Sequence, residues 1–261
     1  MAWPADLPWQ QFLTFSLVLA RMSGLVMTAP LVGGREVPVR VRAIFGFALA
    51  LVIAPTQTAL AGSWATGSVG YLLAVVGEVM IGVALGIGLM LLFAGMQVAG
   101  QIVSQMSGLS LADVFNPNLD SATPLFGQLF YLFSLAIFVA IGGQRLMIAA
   151  MLDTFATLPV GTITLDNQLA ETVTTLMTQS LALGVRAAAP TATALLLATL
   201  ALGLLGRALP QLNLLSFGFG MNVLVTLGAV ALSLGAIAWA FEAQLEPFVQ
   251  QIVAGLQRGQ P

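Results

Sequence analysis

The chain has 261 residues, of which 59% are hydrophobic and only 7% charged, and its formal net charge is -2. Soluble domains carry about 25% charged residues, so most of this surface must face lipid or other apolar protein. The basic residues are all arginines, and Lys, His and Cys are absent. This excludes the basic footprint of a nucleic-acid binder, His- or Cys-held zinc and His-held haem, and a Ser-His-Asp hydrolase.

The opening residues, Met1 to Gln11, carry Asp6 and no positive charge, so no cleavable leader is expected there. Six apolar stretches follow, separated by charges and by Gly/Pro breakers. The first is Phe12 to Val32, interrupted by Arg21, and it ends in the loop Gly33 to Pro38. The second is Ala43 to Ala59, followed by the small, polar segment Gly62 to Gly70. The third runs from Tyr71 to about Gln105 and contains Glu78. As one helix it would be about 50 Å long at 1.5 Å per residue, against a bilayer core of about 30 Å. It must tilt strongly, break at its glycines, or project beyond the membrane.

After the turn signal Asn116-Pro117-Asn118, the fourth stretch is Pro124 to Ile141, continuing weakly to Leu152. Leu158-Pro159-Val160-Gly161 breaks the chain before the fifth stretch, about Leu176 to Leu205, which contains Arg186. The short connection Arg207 to Gln211 leads to the sixth, Leu214 to Phe241, so the last two should form an antiparallel hairpin. The expected fold is an all-α membrane protein of about six long, broken helices arranged in hairpins. Arg35, Arg40, Arg42 and Arg207 fall in loops on one side, which the positive-inside rule assigns to the cytoplasm.

Few residues invite a chemical role. Gly82 and Gly86, within a glycine-rich third stretch, form a G-x-x-x-G pair suited to close helix packing. Arg21, Glu78 and Arg186 lie within apolar stretches, where a charge costs at least roughly 2.5–3.5 kcal/mol. Either Glu78 carries a proton or ion, or it belongs to a buried structural pair. The structural role is the expectation, with Glu78→Gln largely tolerated. Asp113, Asp120 and Asp153 have no base or nucleophile beside them and read as solvated or capping groups. The segment Met106 to Ser121 mixes Gly108, Leu109, Leu111, Val114, Phe115 and Pro117. It is either a surface loop or irregular backbone closing a passage.

Several fragments carry a resemblance. Arg21-Met22-Ser23-Gly24 through Ala29-Pro30, with Val37-Pro38-Val39-Arg40, resembles the start of the FliR family, membrane components of the flagellar type III export gate. Ser107-Gly108-Leu109-Ser110 with Asn116-Pro117, then Asp153 to Gly161, then Gly203 to Asn213, resemble later family segments in the same order. Gln144 and Gly220 stand where many relatives have His and Pro. The injectisome proteins SctT, YscT and SpaR share the architecture, while Leu158-Pro159-Val160-Gly161 is more like the flagellar branch.

The resemblance implies a non-enzymatic, cofactor-free subunit of a multi-subunit helical export gate in the bacterial inner membrane and flagellar basal body. Residues 1–165 would be FliP-like and include a pore plug at 106–121, and residues 166–261 would be a FliQ-like helical hairpin. FliP- and FliQ-like subunits would pack beside it, with much of the assembly on the periplasmic side, and unfolded flagellar proteins would pass through. FlhB- and FlhA-like components would meet the cytoplasmic entrance near Arg207, Pro210 and Gln211. The competing reading is a secondary transporter for ions or small solutes, which would explain Gly- and Pro-broken helices and a lone membrane carboxylate.

Overall fold

The computed structural model describes residues 6–34, 37–57, 68–108, 125–161, 168–208 and 214–258. Among these, the elements are all helical. They are α1 (Asp6–Thr28), α2 (Val39–Ile53) with a 3-10 turn (Ala54–Thr56), α3 (Ser68–Met106), α4 (Leu125–Ala140), α5 (Gly143–Thr157), α6 (Gln168–Ala208) and α7 (Leu214–Arg258). By length and composition, five helices can cross a membrane, and the bent pair α4–α5 makes a sixth if counted as one span. The protein is an all-α membrane protein, as its composition requires.

The overlong third stretch does not break at its glycines. It forms one continuous helix of 39 residues, about 58 Å long. It stops at Gly108, whose φ of 78° places it in the left-handed region where helices commonly end. The fourth stretch does break. Gly142, also at φ 78°, separates α4 from α5, and its carbonyl accepts from the Arg145 and Leu146 amides.

The last stretch extends further than its apolar run suggests. Sequence alone ends it at Phe241, but α7 continues through Pro247 to Arg258. A proline within a helix removes one hydrogen bond. Here Phe248, Val249, Ile252 and Leu256 are all buried beyond it, and this apolar stripe offsets the loss. Helices α6 and α7 run antiparallel, with the Thr191 and Ser233 hydroxyls 3.3 Å apart.

The chain packs as two compact units, each discontinuous in sequence. One comprises Met1–Leu91, Gly142–Leu176 and Glu246–Pro261, and the other Leu92–Ile141 and Met177–Leu245. In the first, Phe15 of α1 meets Phe47 of α2 edge to face at 5.5 Å. Arg42 holds the connection between these helices, donating to the carbonyls of Val37 and Gly34. The second unit is built around Phe93, whose ring meets those of Tyr131, Phe138 and Phe241 edge to face at 5.9, 5.5 and 5.4 Å. There α3 and α6 cross closely: a Cβ on Gly184 would meet the Gly95 carbonyl, and one on Gly95 would meet the Ser180 backbone.

This crossing yields a direct test. Gly95→Val would drive a branched side chain into the Ser180 backbone. It should destabilise the chain by about 1–3 kcal/mol or more, read as earlier proteolysis in isolated membranes. Gly235→Ala meets nothing within 4 Å and should leave protease resistance unchanged or slightly raised, since alanine favours helix by up to about 1 kcal/mol.

Candidate functional site

The most developed polar arrangement lies inside the first unit. Glu78, Gly82 and Gly86 recur every four residues on one face of α3, and α1 runs along that face. A Cβ on Gly82 would collide with the Arg21 carbonyl, and one on Gly86 with the Thr28 side chain. Gly24 of α1 is equally tight against the backbone of Val79. These small positions bring the two helices into backbone contact, and the long Arg21 side chain then reaches along the groove to Glu78.

Arg21 and Glu78 are both 0% exposed, and Arg21 Nε donates to Glu78 Oε2 at 2.5 Å. The remaining contacts come from α5 and the turn after it. Arg21 donates to the Thr154 hydroxyl at 3.3 Å and to the Leu158 carbonyl at 3.1 Å. Its guanidinium sits 4.2 Å from the centre of the Phe155 ring. Glu78 Oε1 accepts from the Gly161 amide at 2.8 Å, and the Thr154 hydroxyl donates to the Met151 carbonyl at 2.6 Å. One ion pair therefore ties α1, α3, α5 and the Leu158–Gly161 turn together.

This arrangement is suited to holding helices rather than to moving protons. Both carboxylate oxygens are engaged, and both partners are enclosed. The sequence singled out Arg21 and Glu78 but not Thr154, Phe155, Leu158 or Gly161 as their partners. Nothing in helical spacing connects positions 21 and 154, and only the fold joins them.

The other selected residues lie apart from this site. Gly108 caps α3, with its amide donating to the Gln105 carbonyl at 3.3 Å. Leu109, Leu111, Val114, Phe115 and Pro117 lie outside the described residues, as do Arg35, Pro210 and Gln211. Arg207 and Asp153 are exposed. Arg186 was grouped with the buried charges, but it is exposed on this chain and has no ion-pair partner among the described residues. The nearby apolar residues Leu181, Val185, Leu196 and Leu197 are exposed as well. Glu242 was missed because the last apolar stretch was ended at Phe241. The extension of α7 places it in the candidate span Gly220–Gln257, also exposed.

Comparison with known proteins gives this helical frame its family. The profile of "Bacterial export proteins, family 1" matches residues 12–248. The flagellar biosynthetic protein FliR of Caulobacter vibrioides is 31% identical over 85% of this chain and 89% of its own length. The chain belongs to the FliR family of bacterial export proteins. FliR of Escherichia coli is 31% identical over 84% of both chains. The secretion system apparatus protein SsaT of Salmonella typhimurium is 29% identical over 61% of this chain and 62% of its own. In this FliR-family chain, two segments that carried the resemblance meet Glu78 at the buried site: Arg21–Gly24 supplies Arg21, and Asp153–Gly161 supplies Thr154, Phe155, Leu158 and Gly161.

The enclosure of Arg21 changes the expectation for Glu78→Gln. That substitution leaves a guanidinium buried without its counter-ion, and breaking such a pair typically costs about 3–5 kcal/mol. Glu78→Gln should lower the amount of chain retained in the membrane and its protease resistance. The double change Arg21→Met with Glu78→Met should recover most of both, because neither charge is then stranded. Equal stability of Glu78→Gln and the unaltered chain would show that the pair does not hold the helices.

Proposed function

We propose that this chain is a channel-forming subunit of the flagellar type III protein export gate. It helps to form, and at rest to plug, a passage for unfolded export substrates. The observation that carries this reading is the family match along residues 12–248, supported by curated FliR relatives over most of their length. The large exposed apolar surface of the long helices, including Leu72, Leu73, Leu197, Leu200 and Leu224, also suits a subunit covered by lipid and neighbouring helices.

In this reading the partners are FliP- and FliQ-like membrane subunits. Residues 1–165 take the FliP-like position and residues 166–261 the FliQ-like hairpin position. The tip around Arg207, Pro210 and Gln211 faces the cytoplasm, where FlhB- and FlhA-like components meet it. The assembly belongs to the inner membrane and flagellar basal body and extends to the periplasmic side. The chain contributes shape and packing rather than catalysis. The match to SsaT favours one second reading, the equivalent place in a secretion apparatus other than the flagellum. A solute transporter is disfavoured because Glu78 is enclosed by Arg21 and the Gly161 amide.

The plug is the part of this proposal most open to test. A passage wide enough for an unfolded chain must exclude ions at rest, and apolar constrictions do so by dewetting. The segment 106–121 supplies Leu109, Leu111, Val114 and Phe115 between Gly108 and Pro117. Replacing Leu109 and Phe115 with Gly, or shortening the segment, should leave the complex assembled and make membranes leak small ions in a conductance assay. An ion-tight membrane with the altered complex shown to be assembled would refute the plug.

A further inference from the structure

Arg186 has no ion-pair partner among the described residues. It stands among exposed apolar turns, with Leu181 and Val185 before it and Leu196 and Leu197 after it. It lies within the candidate span Glu171–Ala208. Lipid is a poor environment for a guanidinium, by at least roughly 2.5–3.5 kcal/mol near mid-span.

Two further features make the same point on the helix demanding. Pro190 lies inside α6, and a proline has no N–H to give to the carbonyl four residues earlier, which is that of Arg186. In hydrocarbon an unsatisfied backbone group is itself costly. In addition, the residues one or two turns away on the Arg186 face are Ala182, Ala189, Pro190 and Thr193, all exposed. Small side chains there leave room for another helix to approach closely.

The hairpin has a carboxylate of its own nearby in register. Thr191 faces Ser233. Arg186 lies five residues before the first and Glu242 nine residues after the second, an axial offset of about 6 Å at 1.5 Å per residue. Yet no ion pair joins Arg186 and Glu242 among the described residues. Both charges remain available to something outside the hairpin.

We infer that Arg186 anchors an interface with a different membrane subunit, whose apolar helix packs along Ala182, Ala189 and Thr193 and supplies a carboxylate to the guanidinium. This rests on the reading of the chain as one subunit of a larger helical assembly. The charge disfavours hydrocarbon as the stable neighbour, and the small flanking residues fit a close-packed helix. The guanidinium requires that helix to be acidic at the level of contact.

The test uses the full chain in its own membrane with its natural partners. A photo-crosslinking residue at Ala182 or Ala189 captures the neighbour, and Arg186→Lys and Arg186→Glu are scored by what co-purifies. The expected adduct is another membrane subunit with Asp or Glu inside an apolar helix. Arg186→Glu should cut its recovery by at least about tenfold, while Arg186→Lys should keep most of it. Exchanging the partner's carboxylate for Arg should restore recovery in the Arg186→Glu background, which separates lost pairing from misfolding. Adducts only with lipid, with an exported polypeptide or with a second copy of this chain would overturn the inference. So would undiminished recovery with Arg186→Glu. Normal export after deletion of the chain would refute the export function, while the crosslink and charge exchange would still report on this interface.

Discussion

A guanidinium enclosed in an almost uncharged protein constrains everything around it. Arg21 is 0% exposed, and one carboxylate, one hydroxyl, one carbonyl and one aromatic ring meet it. These groups come from helices far apart in sequence, so their convergence fixes how α1, α3 and α5 pack. The glycines at 24, 82 and 86 are the counterpart of that demand, since bulkier residues would hold α1 and α3 apart. A buried pair of this kind need not add stability over an apolar replacement. Its consequence is specificity, because any other packing strands a charge.

The chain treats its charges in two ways, and the difference bears on function. Arg21 and Glu78 are satisfied within the first unit. Arg186 and Glu242, in the second, are left exposed on helices that also expose many large apolar residues. A self-contained transporter would be expected to enclose its functional charges. A subunit of a larger helical assembly would leave some for its neighbours, as membership of the FliR export family leads one to expect. The aromatic cluster around Phe93 and the α3–α6 crossing near Gly95 and Gly184 give the second unit its own packing, with Arg186 and Glu242 exposed.

Much of the fold was legible because hydrophobicity, Gly and Pro carry it directly. Apolar runs gave the helices, and Leu158 to Gly161 gave a real turn. Where the structure chose among alternatives or went further than the sequence, the reasons are local. The 39-residue α3 stays whole because its glycines serve close crossings rather than breaks. The last apolar run stopped at Phe241, so Glu242 was overlooked, but the buried stripe from Phe248 to Leu256 carries α7 through Pro247 to Arg258. Arg21 and Glu78 were recognisable as charges out of place, but their contacts with Thr154, Phe155 and Gly161 depend on tertiary structure. Arg186 resembled them in sequence and differs in burial, since helical periodicity alone does not show which face finds a partner.

The central claim is that this chain functions as one member of a hetero-oligomeric export assembly rather than alone. Native mass spectrometry of complexes gently extracted through a tag on the chromosomal copy addresses it most directly. The account predicts that the chain is recovered in one large assembly together with several copies of other small helical membrane proteins. Recovery of the chain as a stable, monodisperse monomer from membranes that contain those proteins would contradict it.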